Sequence, residues 1–333
     1  MATGSMLVPP KAAAAAQFAP GFGQRVLLTV DTEEEFDWSA PFRREGYGLS
    51  HVAAIPRFQS FCESIGAHPV YLVDWPIVKD PAAVDIIGDA VRRGTAEVGV
   101  QLHPWVNPPF DEDVTVHNSF AGNLPRELEA AKFMGLRDAI EAAFGAAPLI
   151  YRAGRYGLGP DTADLLKAAG IRIDTSVRAL FDYSADGGPD YSRHPVSPYW
   201  VDADRQLLEL PVTSVHWGIF RNVGVSLQRL RPALPTVLGA MSHFSLLERI
   251  ALTPEGVKIE EALRGIDIAH TSGLPVLVLS LHSPTLAPGN TSYAKDEASV
   301  EALYEWFAAI YADLDRRGIR SCTVADIIAA TSG

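Results

Sequence analysis

Four short stretches of this 333-residue chain carry side chains suited to hydrolysis. The carboxylates Asp31, Glu33, Glu34, Glu35 and Asp37 follow the apolar run Arg25–Val30. Gln101, His103 and Trp105 close a second run, and Arg152, Arg155 and Tyr156 follow a third. His282 ends a fourth, Pro275–Leu281. Carboxylate, imidazole and amide oxygen together make a ligand set for a divalent ion such as zinc, cobalt or nickel. A carboxylate left over can take a proton from water, whose pKa falls to ~7 on zinc. A histidine on the far side can protonate a leaving group, and an arginine can keep the base ionised and aimed. Amide or ester hydrolysis follows from such a set more readily than redox chemistry.

Each group alone has a blander reading. A carboxylate run after a strand is usually a solvated loop, and Gln-x-His spacing is common. An arginine beside glycines can pair with surface acids, and one histidine after an apolar run is usually rim packing. What separates the two readings is whether the stretches meet.

The elements between them say that they do. Short apolar runs at Arg25–Val30, Pro69–Val73, Ala96–Leu102, Leu149–Tyr151, Ile171–Ile173, Leu207–Leu210, Pro275–Leu281 and Ile319–Thr323 read as strands. Amphipathic stretches closed by Gly66, Gly94, Gly145 and Gly170 alternate with several of them. That alternation predicts parallel βα units with both sheet faces covered. The fold class is therefore α/β: a single barrel-like domain over residues 24–333, with long loops at 178–205 and 283–295 and a flexible arm at 1–23. In such a barrel the C-terminal strand ends share one cleft. Asp31, Glu33, His103, Arg152 and His282 are expected to converge there. Period-two spacing predicts that Asp31, Glu33 and Glu35 share a face.

Composition narrows the partners. With 47% apolar and 20% charged residues the chain can bury a core, which excludes a disordered protein. A net charge of −12 argues against nucleic acid and anionic membranes, and its field favours a neutral or cationic ligand. No apolar window is long enough for a membrane span. No basic segment precedes a long apolar run at the start, so a cytoplasmic rather than secreted protein is expected. Cys62 and Cys322 cannot build a disulfide framework. Glycine-rich nucleotide loops and a Gly-x-Ser-x-Gly elbow are missing from the positions that would need them. Nothing in the sequence speaks to oligomeric state.

Over about residues 24–327 the order of motifs resembles the polysaccharide deacetylases, the NodB-homology fold of carbohydrate esterase family four. The blocks Asn118–Pro125 and Pro284–Tyr293 resemble a WalW-like subgroup. The resemblance implies a distorted (β/α) barrel of the glycoside hydrolase/deacetylase type. It also implies a hydrolase that removes N-acetyl groups from a cell-wall or exopolysaccharide glycan. Asp31 would be the base, Arg152 its steadying arginine and His282 the acid, while Glu33, Gln101 and His103 would hold a divalent metal, zinc foremost. Gln101 stands where the family has a second histidine, and glutamine is a poorer zinc ligand. Glu34, Glu35 and His117 are the reserve ligands, and Leu208–Val212 is the nearest match to the fourth motif. Trp38, Trp75, Trp105, Tyr156 and Trp217 are candidates to stack on sugar. Trp105, beside Pro104 and before Asn107-Pro108-Pro109, is expected on an exposed turn, and Tyr156 is taken with it as substrate-binding. Two alternatives stay open: a metal-independent C–N hydrolase acting on a small cyclic amide or ureide, and a catalytically silent glycan-binding relative.

Overall fold

A computed structural model describes residues 5–218 and 248–331. Eleven strands appear among them: β1 (Arg25–Thr32), β2 (Pro69–Val73), β3 (Glu97–Leu102), β4 (Ile150–Ala153), β5 (Ile173–Asp174), β6 (Tyr199–Trp200), β7 (Leu208–Glu209), β8 (Ser214–Trp217), β9 (Glu248–Ala251), β10 (Val276–His282) and β11 (Arg320–Ser321). The sheet runs β10-β1-β2-β3-β4-β5-β7-β6, with β11 also pairing β1. Its ladders are parallel except β6 against β7. Every apolar run expected as a strand contributes one, although β5, β7 and β11 shrink to two residues.

Among the described residues the sheet does not close on itself, so the barrel is a curled, open one. Beside the outer edge of β10 lies a separate antiparallel β8–β9 pair. Val278 N donates to Thr213 Oγ1 at 2.8 Å and Ser280 N to the Leu252 carbonyl at 3.1 Å, so residues flanking the β8–β9 pair satisfy part of that edge.

Among the described residues the α-helices are α1 (Ile55–Ser64), α2 (Trp75–Lys79), α3 (Pro81–Arg92), α4 (Arg126–Phe144), α5 (Thr162–Ala168), α6 (Ile259–Thr271), α7 (Glu297–Arg316) and α8 (Val324–Thr331). Asp74 and Asp80 cap α2 and α3, accepting from Ile77 N and Ala83 N, and a proline opens each helix. Gly145 ends α4 at φ 79°, a left-handed conformation that costs glycine nothing.

Strand alternation splits the core in two. Val26, Leu28, Val30, Tyr71, Val73 and Val100 face the helices. Leu27, Val70, Leu72, Ile150, Ile173, Val276 and Val278 fill the interior, where Phe18 and Phe22 of the N-terminal segment pack against them. The Ala16 and Ala19 amides bond to the Pro198 and Ala330 carbonyls, so the described part of that segment lies against the domain. Gly99 sits in the narrowest layer, where a Cβ would meet Ile150 and Leu72 side chains at 2.5 Å. Moving up the same interior faces, the apolar layer gives way to Thr29, Asp31, Asp74, Gln101, Arg152 and His282. Alternation thus delivers the polar groups to one end of the barrel.

Candidate active site

The β1–β10 register sets Asp31 opposite His282, and the β3–β4 register sets Gln101 opposite Arg152. Asp31, Gln101 and His282, with Glu33, Glu34 and His103, line the floor of a cleft of about 1100 Å³, and Arg152 is buried behind them.

Asp31 is 2% exposed. One of its oxygens accepts from Arg152 Nη1, and the other lies 3.7 Å from His282 Nε2. Arg152 is itself tethered: Nε donates to the Thr175 carbonyl at 3.0 Å and Nη2 to Thr29 Oγ1 at 3.0 Å. Behind it, buried Asp174 accepts from the amide and hydroxyl of Ser176, whose hydroxyl in turn accepts from Ala153 N. The stretch Asp174-Thr175-Ser176 therefore supports the arginine. Leu208–Val212, the nearest sequence match to a fourth motif, places Glu209 beside Asp174 in the ladder, one strand further out.

His282 Nδ1 pairs with Glu255 Oε2 at 2.7 Å. Burial pushes this imidazole down, but the charges of Glu255, Glu33 and Asp31 outweigh it and raise its pKa to about 10. That direction favours the protonated imidazole, with a proton on the nitrogen that faces Asp31. Glu255 is further held by Thr285 Oγ1 at 2.6 Å.

Glu33, Gln101 and His103 come together as expected. Gln101 Nε2 donates to Glu33 Oε2 at 2.8 Å and faces His103 Nε2 at 3.2 Å, while Glu33 Oε2 and His103 Nε2 are 3.4 Å apart. Burial, aided by the nearby Asp31 and Glu34 charges, raises the Glu33 carboxyl to about 8 against the pull of His282 and His103. The His103 ring is clamped. It stacks on Trp105 at 4.3 Å, Nδ1 meets Glu34 Oε2 at 3.0 Å, and a Cβ at Gly154 would strike it at 2.4 Å. Glu34 also accepts from Trp105 Nε1 at 2.7 Å, and its amide bonds to Asp74.

Three observations bear on whether these residues suit a divalent ion. A carboxylate on Nδ1 is the usual partner of a metal-binding histidine, because it leaves Nε2 with its lone pair turned to the ion. Ligands ~2.0–2.1 Å from one tetrahedral ion stand roughly 3.3 Å apart, near the Glu33–His103 separation. Finally, Gln101 Oε1 is buried without a hydrogen-bond partner, and turning the amide over would present that oxygen between Glu33 and His103. The donor set fits an ion with one carboxylate, one imidazole and one weak amide ligand.

The reserve residues do not join it directly. Glu34 braces His103 from behind. The strand ends at Thr32, so Glu35 does not continue its face. Glu35 pairs with Gly48 and accepts from Ser50 Oγ, the His51 amide and Asn290 Nδ2. His117 is exposed and contacts Asn123.

Trp105 requires correction as a sugar platform. It is 2% exposed, because Lys132 Nζ ties the loop after β3 inward through the Pro104, Asn107 and Pro109 carbonyls. Trp38, 53% exposed on the cleft wall, is the available indole. Tyr156 does line the cleft, half-buried and stacked on Tyr183 at 5.6 Å. Arg155 and Tyr156 are consecutive non-glycine residues at φ 55° and 60°. Such conformations cost of order 1–3 kcal/mol each and gather at ligand-facing loops.

Sequence reasoning missed Glu255, Asp74 and the His51–Ser283 pair, in which Ser283 Oγ lies 2.9 Å from His51 Nε2 and accepts from Glu33 N. Glu255 left no signal, since it belongs to neither a strand nor a motif.

No family model and no curated protein matches the sequence. Among solved structures, the chain is similar to a Mycobacterium smegmatis protein provisionally named a polysaccharide deacetylase. The TM-score is 0.56 at 16% identity, covering 98% of this chain and 94% of the other. The Bc1960 peptidoglycan N-acetylglucosamine deacetylase follows at 0.45 and 14% identity, covering 94% and 92%. A family 4 acetyl xylan esterase from Clostridium thermocellum scores 0.45 at 11%, covering 92% and 91%. The last two are too distant to carry weight. The first shows the fold: a distorted, open (β/α) barrel of the polysaccharide deacetylase type, in one domain. No described helix is long and apolar enough to cross a membrane.

Proposed function

We propose that this chain is a hydrolase that removes N-acetyl groups from a cell-wall or exopolysaccharide glycan. The observation that carries the reading is the position of Asp31, with Arg152 on one oxygen and His282 3.7 Å from the other. Asp31 takes a proton from water as the water attacks the acetamide carbonyl. Arg152, locked by Thr29 and Thr175, keeps the accepting oxygen aimed. His282, cationic through Glu255, gives its Nε2 proton to the departing amine. Glu33, His103 and, through its oxygen, Gln101 are the residues that would hold a divalent ion, zinc foremost. Such an ion, when bound, supplies charge that polarises the carbonyl and acidifies water. Trp38 and Tyr156 offer the cleft wall to sugar rings.

One observation favours a second reading. In the conformation present, the Gln101 amide nitrogen bridges Glu33 and His103 and closes the triangle with hydrogen bonds. That arrangement suits a metal-independent C–N hydrolase. Acetate release from an N-acetylglucosamine oligomer, measured with zinc and with chelator, tests both. Release that needs metal supports the first, and release indifferent to chelator supports the second. No release under either condition, from this oligomer or from peptidoglycan fragments, would leave the glycan-binding alternative.

A further inference from the structure

Several carboxylates of the cleft meet a cationic side chain: Asp31 faces Arg152, Glu255 faces His282, and Asp186 reaches Arg155 at 3.5 Å. Arg43 and Arg178 line the same cleft and, among the described residues, join no ion pair; Arg43 is exposed, whereas Arg178 is half-buried. Among the described residues its one side-chain hydrogen bond is a 3.4 Å contact from Nη1 to the Tyr183 hydroxyl. Nε is buried with no partner, and no bond is made by Nη2. Nε is covered by protein, so Nη2 is the nitrogen left to make a charge-assisted bond to a ligand carboxylate.

Its surroundings hold it in place. The guanidinium carbon lies 3.9 Å from the Phe181 ring centre and 5.3 Å from that of Tyr156. Arg249 lies over Phe181 as well, at 3.5 Å, so two cations share one ring. Phe181, Tyr183 and Tyr156 stack in sequence, which gives the cation a flat aromatic wall. The chain-wide charge of −12 favours neutral or cationic ligands, but that field is generic, while this cation is local and joins no ion pair among the described residues.

We infer that Arg178 is a specificity-determining residue that recognises a carboxylate borne by the sugar, so that the substrate is an acidic N-acetylated saccharide. This rests on the deacetylase reading and narrows its substrate class.

The test uses binding, so that it does not depend on turnover. Asp31→Asn protein is titrated with the disaccharide of N-acetylglucosamine and N-acetylmuramic acid, and with the same disaccharide whose lactyl carboxylate is converted to a methylamide. The acid should bind about 10-fold or more tightly than the amide, as a charge-assisted pair requires, and added salt should shrink the gap. Arg178→Gln in the same background should erase the preference while leaving amide binding within about twofold. Arg178→Lys should keep part of it, and both variants are checked for an unchanged circular dichroism spectrum. Should Arg178→Gln not fold, Arg178→Lys and the comparison without substitution at 178 decide. Equal binding of acid and amide, or a preference that survives Arg178→Gln, overturns the inference. Acetate release from the acid disaccharide by the unsubstituted protein is read separately. A failure there would count against the deacetylase reading and leave the carboxylate preference standing or falling on its own.

Discussion

Asp31 and His282 are partners in the β1–β10 ladder, and the imidazole Nε2 stands 3.7 Å from the carboxylate. Arg152 approaches the other oxygen from β4, while Glu255 holds the far side of the imidazole. A base and a protonated acid are thereby fixed side by side on two adjacent strands.

Replacing Glu255 with Gln removes the main charge that raises His282. The sign follows from the direction of the shift. A histidine raised from 6.5 to about 10 contributes stability that is fully present below 6.5 and lost as pH rises through about 10. In Glu255→Gln protein the alkaline limb of kcat should move to lower pH, and the alkaline unfolding midpoint should fall with it. A kcat–pH profile checks the first and unfolding by urea across pH 6–10 the second. An unmoved alkaline limb would show that His282 is not the acid.

Glu33 yields the opposite dependence for metal. Its carboxyl, raised to about 8, must lose its proton to become a ligand. Zinc or cobalt affinity should rise as pH increases through about 8, with proton release that calorimetry in buffers of different ionisation enthalpy can count. The same raised carboxyl contributes stability to the metal-free protein that is present below about 4.5 and lost as pH rises through about 8. Glu33→Gln and His103→Ala should each weaken metal about 10-fold or more, and Gln101→His should tighten it. Affinity flat from pH 6 to 9 would remove Glu33 from the ligand set.

The two tryptophans near the cleft should separate cleanly. Trp105→Ala empties a buried site against His103 and strips Glu34 of a hydrogen bond, at a cost of about 3–5 kcal/mol in unfolding free energy. Trp38→Ala, at an exposed position, should leave the thermal midpoint almost unchanged and raise KM. Chemical denaturation and steady-state kinetics on both variants check this.

Much of the site was legible because parallel strands deliver it. Asp31, Gln101, His103, Arg152 and His282 each lie at a strand's C-terminal end, and period-two alternation sends them to one interior face. Trp105 was misread because a local Pro-rich turn says nothing of Lys132, more than twenty residues on, whose ammonium folds that turn inward. Glu255 and Arg178 lie outside regular elements, where only tertiary contacts give a side chain its partners. Asp74 hid as a helix cap, which it also is. Glu35 looked like its neighbours in sequence, but the chain leaves β1 after Thr32 and turns it toward His51.

The most direct measurement of the central claim is acetate release from an N-acetylglucosamine oligomer by the unsubstituted protein with zinc or cobalt, set against Asp31→Asn. Removal of a general base costs typically 10²–10⁴-fold, so the account predicts measurable release that falls by at least about 10²-fold in the variant while oligomer binding persists. Release that survives Asp31→Asn unchanged would contradict it.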